Sequence, residues 1–273
     1  MSREAVLIDY SDAMEDNHEA SERTPRLAEE LVSFLAPTSV EAEQYRTLRH
    51  AVERLRRDSS LQVFAVTSAE PGDGKTVTTL NLAGSLAQSP DARVLVVCAD
   101  FHRAAVAEYL GLAGLRSPGL AEAISNEDGG LAHAARRLDS LNISVLLAGR
   151  AQARPYELLA SPRLEGLLAE ARRLYDYVLV DAPPVVPLAD CRLLARWVDG
   201  FIVVVAARKT PRKLLGDALN QLDPAKVLGL VFNGDDRPLA PYYGYYGYQQ
   251  APRQRPASRF TSWRRAFSPR RHR

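Results

Sequence analysis

The segment Ala69-Glu70-Pro71-Gly72-Asp73-Gly74-Lys75-Thr76 constrains this chain more than any other stretch, because it matches a phosphate-binding loop. Before it, Val63-Phe64-Ala65-Val66 reads as a buried strand. After it, Val77-Thr78-Thr79-Leu80-Asn81-Leu82-Ala83 reads as the first turns of a helix. That strand–loop–helix context is what such a loop needs. Its two glycines let successive backbone N–H groups turn inward around a triphosphate, and the start of the helix adds its positive end. Lys75 would reach the β- and γ-phosphates, and the Thr76 hydroxyl would sit on Mg²⁺. The expected nucleotide-binding set is therefore Glu70, Pro71, Gly72, Asp73, Gly74, Lys75, Thr76 and Val77, with ATP and Mg²⁺ as ligands. Ala69 stands where the commonest pattern has its first glycine, and it is small enough to start the turn.

A chain of 273 residues holds one large α/β domain with tails, and 46% hydrophobic with 25% charged residues is ordinary for a soluble globular protein. The net charge of +2 hides an asymmetry: residues 1–30 hold nine acids against three arginines, while residues 251–273 hold eight arginines and no acid. Both ends read as solvated tails, with attraction to an anionic membrane surface as the functional alternative for the basic end. Cys98 and Cys191 are far apart and lack metal-like spacing, which suits a reducing cytosol. No stretch approaches the ~18–20 apolar residues that span a bilayer. The acidic start is unlike a signal peptide, so work at a membrane would require a partner to bring the protein there.

Residues 1–38 read as an acidic leader, partly disordered, with one short helix from Leu27 to Leu35. Charge-rich residues Val40 to Arg57 follow as a longer helix. From Leu61 the pattern changes to short β-branched runs at Val63–Val66, Val94–Val97, Ser144–Leu147, Val178–Val180, Phe201–Val205 and Val227–Phe232. Amphipathic helical segments are expected at Leu80–Gln88, Pro162–Leu174 and Pro211–Leu222. Continuous apolar strands alternating with helices indicate a mostly parallel sheet covered on both faces, a P-loop α/β domain over residues 39–237. Residues 238–273 shift to Pro, Gly, Tyr and Arg and read as a disordered tail.

The run Tyr177-Val178-Leu179-Val180-Asp181-Ala182-Pro183-Pro184 delivers an Asp to the end of a strand, the edge where ligands bind in an open α/β sheet. Asp181 is thus a candidate for holding Mg²⁺, as in a Walker B strand. Val94-Leu95-Val96-Val97 runs into Cys98-Ala99-Asp100-Phe101-His102-Arg103, which brings Asp100 to the same edge as a metal-holding or proton-accepting group. Lys75, Asp100 and Asp181 form the candidate catalytic set, with Thr76, Asp100 and Asp181 for the metal. His102 reads as a bland loop residue and Cys98 as a small buried hydrophobe.

Glu43, Arg46 and Arg49 recur every three residues and share one helical face. Pro241-Tyr242-Tyr243-Gly244-Tyr245-Tyr246-Gly247-Tyr248 packs five of the eleven tyrosines into seven residues. Glycine spacing argues against a stable helix or strand there, so the hydroxyls are candidates for presentation to an active site.

Together these motifs resemble the bacterial tyrosine kinases of capsule and exopolysaccharide synthesis, over roughly residues 39–250. The resemblance rests on Glu43-x-x-Arg46-x-x-Arg49, the phosphate loop, Asp100-Phe101-His102-Arg103 as the end of the extra Walker A′ motif, Asp181-Ala182-Pro183-Pro184, Pro155-Tyr156-Glu157-Leu158-Leu159, and Val227-Leu228-Gly229-Leu230-Val231-Phe232-Asn233. It implies a Min/Par-like P-loop fold and autophosphorylation of Tyr242, Tyr243, Tyr245, Tyr246 and Tyr248. It further implies Asn233 near the adenine and an oligomer interface at Glu43, Arg46 and Arg49. The implied partners are other copies of the chain, a membrane polysaccharide co-polymerase that activates the kinase, and a cognate tyrosine phosphatase. The chain looks like the stand-alone cytoplasmic form, recruited through its partner to the inner face of the plasma membrane.

Cys98 departs from the family pattern, which has an acid at that position. An unperturbed thiol with a pKa of about 8.5 is a poor replacement for a carboxylate at neutral pH. A general base contributes roughly 10²–10⁴-fold to a rate, which leaves a nucleotide-binding pseudokinase scaffold as the alternative. The Min/Par positioning ATPases form a second alternative. They carry a second lysine early in the loop, where Glu70 reverses the charge here. Nucleic-acid binding is disfavoured, because the tyrosines precede the arginines rather than interleaving with them on a folded surface.

Overall fold

A computed structural model describes residues 26–114, 118–125, 130–150, 154–186 and 190–235. The acidic residues 1–25, the tyrosine cluster and the arginine-rich end lie outside the described residues. In chain order the elements begin with α1 (Val32–Leu35), α2 (Val40–Ser59), β1 (Val63–Ser68), α3 (Lys75–Ala87) and β2 (Val94–Cys98). Next come α4 (Val106–Tyr109), α5 (Leu120–Ser125), α6 (Leu131–Ala134), β3 (Arg136–Leu138) and β4 (Ile143–Leu146). The series closes with α7 (Pro155–Ala160), α8 (Pro162–Leu174), β5 (Tyr177–Asp181), α9 (Asp190–Leu194), β6 (Gly200–Ala206), α10 (Arg212–Leu219) and β7 (Val227–Asn233).

The strands make one sheet in the order β3-β4-β2-β5-β1-β6-β7. Every adjacent pair is parallel except β3 with β4. Alternating side chains on the central strands feed two apolar layers. Val63, Ala65, Leu95, Val97, Val178 and Val180 enter one layer, and Phe64, Val66, Val94, Val96 and Leu179 enter the other. Burial on both faces is why these strands read as unbroken apolar runs rather than alternating ones. Phe64 and Phe201 are fully buried, each contributing about 2–3 kcal/mol of apolar burial.

The expected amphipathic pattern of α3 is replaced by burial almost all round, because α1 and α2 cover its outer side. Segment 27–35 forms only a single helical turn at Val32–Leu35. Its backbone is committed to tertiary partners instead. Ala28 N–H donates to the Tyr109 carbonyl, and Ser33 N–H donates to Asn81 Oδ1 at 2.8 Å. Phe34 packs so closely over Gly84 that a Cβ there would lie 2.8 Å from its ring. The short edge strand β3 was not legible in the pattern. Its Arg136 and Arg137 are exposed, charges that protect a sheet edge and erase the apolar signal.

One polar cluster ties the start of β1 to the helical layer. Asp199 accepts two bonds from Arg172, at 2.8 and 2.7 Å, and its Oδ2 also accepts the Gln62 and Val63 N–H groups at 2.7 and 2.8 Å. Burial opposes the charge on Asp199, but the Arg172 guanidinium and the two N–H donors outweigh it and hold the carboxyl below its ordinary value. A folded pKa below the unfolded one gives stability that is present above about pH 4 and is lost as pH falls through the folded value. Asp199→Ala should therefore cost about 2–4 kcal/mol in urea unfolding at pH 7. The gap from the unsubstituted chain should narrow on acidification below pH 4, and a gap independent of pH would remove the ion pair from this account.

Candidate active site

β5 lies between β2 and β1, so the three strands that carry candidate chemistry end side by side. Asp181 is level with Val66 of β1 and with Cys98 of β2. The loop leaving β1 turns at Gly72 (φ +88°) and Gly74 (φ +95°), left-handed conformations that favour glycine. A Cβ at Gly74 would lie 1.9 Å from Asn233 Nδ2. Helix α3 then starts at Lys75 with no side chain capping it. The N–H groups of its first turn are left for an anion, and the helix dipole favours one there.

Lys75 Nζ donates to Asp100 Oδ2 at 2.6 Å, and both side chains are buried. Burial disfavours the ammonium, but the Asp181 and Asp100 carboxylates and the hydrogen bond to Asp100 outweigh it and raise its pKa. The other Asp100 oxygen accepts the His102 and Arg103 N–H groups at 3.2 and 2.9 Å. Thr76 Oγ1 donates to Asp181 Oδ2 at 2.8 Å. Asp181 is wholly buried, and its Oδ1 has no hydrogen-bond partner among the described residues. Burial pushes the Asp181 carboxyl up to about 6 against the opposing pull of Lys75 and Thr76. An unpartnered buried carboxylate oxygen beside a threonine hydroxyl is a donor set suited to a hard divalent cation such as Mg²⁺.

The remaining loop residues take different positions. Asp73 is buried, Pro71 and Gly72 are exposed, and Glu70 and Val77 are half-buried. Asn233 Nδ2 donates to the Asp73 carbonyl at 3.0 Å, so the end of β7 sits against the phosphate loop. Cys98 is buried at the end of β2, and burial, followed by the Asp181 and Asp100 charges, pushes its thiol up to about 12. The group is a neutral thiol at physiological pH.

Two residues at the site had no reading from the sequence that anticipated their role. The His102 ring donates from Nε2 to Asp190 Oδ2 at 2.9 Å, which links the Asp100 loop to the start of α9. Thr210 donates to Asp73 Oδ1 at 2.9 Å. On α2, Arg46 pairs with Glu43 at 2.5 Å, while Arg49 is drawn inward to Glu53, the Ser85 carbonyl and Ser89. The three residues are therefore not equivalent: Arg49 fastens α2 to α3 within the chain.

The fold and this site define a P-loop nucleotide-binding protein. No family model matches the sequence. Tyrosine-protein kinase YwqD of Bacillus subtilis is 31% identical over 227 residues, which cover 82% of this chain and 94% of YwqD. The succinoglycan biosynthesis transport protein ExoP of Rhizobium meliloti is 33% identical over 207 residues, 74% of this chain but 26% of ExoP. Among solved structures, the kinase domain of Escherichia coli tyrosine kinase ETK superposes with a TM-score of 0.71 at 26% identity, covering 80% of this chain and 84% of that one. MinD of Pyrococcus horikoshii, solved with Mg-ADP, shares the fold at a TM-score of 0.52 and 20% identity, over 63% of this chain and 69% of that one. The chain belongs to the bacterial tyrosine-protein kinase family of capsule and exopolysaccharide synthesis. Among the described residues, no helix is long and apolar enough to cross a membrane.

The position of Cys98 leads to an outcome independent of turnover. Cys98→Asp adds a third acid to the buried Asp100 and Asp181 pair, and should lower the stability of the nucleotide-free protein by about 1–3 kcal/mol. Thermal melts with Mg-ADP should then show a larger ligand-induced rise than in the unsubstituted chain, because a cation would offset the added charge. An equal rise in both proteins would mean that position 98 does not face the metal.

Proposed function

We propose that this chain is an ATP-dependent protein-tyrosine autokinase that transfers the γ-phosphate to its own C-terminal tyrosines and thereby regulates capsular or exopolysaccharide polymerisation and export. The observation that carries this reading is the pairing of Lys75 with Asp100 and of Thr76 with Asp181 at the ends of adjacent strands, which leaves Asp181 Oδ1 unpartnered among the described residues. Mg²⁺, bound with ATP, would neutralise charge on the phosphates, and Thr76, Asp181 and Asp100 are the residues to hold it.

The chain's own groups supply positioning and proton transfer. Loop N–H groups and the start of α3 hold the phosphates, and Lys75 exchanges its Asp100 partner for phosphate oxygens. That exchange frees an Asp100 oxygen to accept the phenolic proton. The phenolic oxygen bonds to the γ-phosphorus as the bond to the β–γ bridging oxygen breaks, and ADP leaves. The acceptors are Tyr242, Tyr243, Tyr245, Tyr246 and Tyr248, and Asn233 lies toward the adenine. Copies of the chain assemble through Glu43 and Arg46, with Arg49 holding that helix in place. A membrane co-polymerase activates the assembly at the inner face of the plasma membrane, and a tyrosine phosphatase resets it.

A second reading rests on Cys98. A buried neutral thiol supplies neither charge to a metal nor a base to a phenol, which favours a nucleotide-binding scaffold of the same machinery. Anti-phosphotyrosine detection with ATP and Mg²⁺ separates the two, using the full chain with its membrane partner beside a Lys75→Met control. The autokinase reading expects a signal that disappears in the control and when Tyr242–Tyr248 are changed to Phe. Tight nucleotide binding without phosphotyrosine would leave the scaffold. Cys98→Asp should raise turnover if the missing acid limits the rate, and unchanged turnover would mean that Asp100 suffices.

Assembly is tested separately. Arg46→Ala should shift the protein toward monomer in sedimentation with little loss of thermal stability. Arg49→Ala should lower the melting temperature, because its contacts are with Ser85 and Ser89. Retention of the full oligomer by Arg46→Ala would remove this face of α2 from the interface.

A further inference from the structure

The outer side of the phosphate loop is gripped by two elements that sequence comparison of the loop alone does not implicate. Three side chains converge on the two residues Gly72 and Asp73. Lys209 Nζ donates to the Gly72 carbonyl at 3.3 Å, Thr210 Oγ1 donates to Asp73 Oδ1 at 2.9 Å, and Asn233 Nδ2 donates to the Asp73 carbonyl at 3.0 Å. Lys209 and Thr210 belong to the turn that follows β6, and Asn233 ends β7.

That turn is itself built to a fixed shape. Arg208 adopts a left-handed φ of +61°, unusual for a residue with a side chain. The Lys209 and Thr210 N–H groups both close onto the Ala206 carbonyl at 3.1 and 3.0 Å. Thr210 Oγ1 also accepts the Ala206 N–H at 2.9 Å, so the hydroxyl proton is directed to Asp73. The Ala207 N–H donates to the Asn233 carbonyl at 2.8 Å, which joins the two gripping elements to each other.

Asp73 is fully buried, although its neighbours Pro71 and Gly72 are exposed. Besides Thr210, its carboxylate is approached by the Glu70 N–H at a long 3.5 Å. A buried carboxylate with so few donors depends strongly on each of them. Without the Thr210 hydroxyl the carboxylate would turn outward or draw the Glu70 N–H closer to itself. Either change spoils the cradle that a phosphate group needs.

We propose that Thr210, assisted by Lys209, is a positioning residue that preforms the phosphate loop and so sets the affinity for nucleotide, without taking part in phosphoryl transfer. A loop turning through two left-handed glycines is conformationally free in isolation, and ordering it on binding would weaken affinity. The grip from β6 and β7 bears that ordering within the fold, before ligand arrives. Because Gly72 and Asp73 precede Lys75, the effect falls on ATP and ADP alike.

The test measures nucleotide binding directly, by calorimetric titration of ADP and a non-hydrolysable ATP analogue with Mg²⁺ into the full chain. Thr210→Val keeps the shape and removes the hydroxyl. It should raise both dissociation constants by about three- to thirtyfold. Thr210→Ser, which retains the hydroxyl, should restore binding to within about threefold. Lys209→Met, at an exposed position, should weaken both nucleotides by a smaller factor and leave the fold intact, which keeps the proposal testable if Thr210→Val unfolds. Unchanged dissociation constants in Thr210→Val and Lys209→Met would overturn the proposal. So would a Thr210→Ser variant as weak as Thr210→Val. Since binding is read without turnover, this outcome is separate from whether the chain is an active kinase.

Discussion

The chemistry of this protein depends on β5 running between β1 and β2. Parallel pairing in that order places the ends of three strands within one hydrogen-bonded ladder, with Asp181 level with Val66 on one side and Cys98 on the other. The phosphate loop, the Asp100 loop and Asp181 then converge without any long-range adjustment. Lys75 meets Asp100, and Thr76 meets Asp181, because α3 begins where β1 turns over the sheet edge. Each of these groups is buried, so each is held by partners rather than by water, and the pairs behave as one electrostatic unit.

That unit is arranged for a ligand that brings its own charge. Lys75 balances Asp100, and a polyphosphate would offer the same ammonium a competing partner. Among the described residues Asp181 retains an unpartnered oxygen in a wholly buried position, a cost of desolvation that a bound cation would offset. Cys98 breaks the pattern. Its burial suppresses ionisation, so the position contributes shape to the site and no charge.

Much of the architecture was legible because the central strands are buried on both faces. Val63–Val66, Val94–Val97 and Val178–Val180 read as apolar runs for that reason, and the last of them runs directly into Asp181. Legibility failed where tertiary contacts replace local ones. β3 is charged and three residues long, so its pairing with β4 leaves no periodic signal. The segment before α1 exchanges helical bonds for contacts with Asn81, which donates to the Glu30 carbonyl, and with Tyr109. His102 looked like a loop residue because its partner, Asp190, lies 88 positions away. Arg49 looked like a surface residue because helical spacing reveals which residues share a face but not which neighbour covers it.

The loop motif, the strand–helix alternation and the acids at strand ends were determined locally, since glycine conformation, apolar runs and strand polarity are properties of short segments. Strand order was not, and it is strand order that makes Asp181, Asp100 and Lys75 neighbours. Nor was the grip on Asp73, which joins residues 137 and 160 positions apart through Thr210 and Asn233. Such contacts exist only after β6 and β7 have paired beside β1, because a hydrogen bond between distant residues requires the packed sheet to bring its donor within reach.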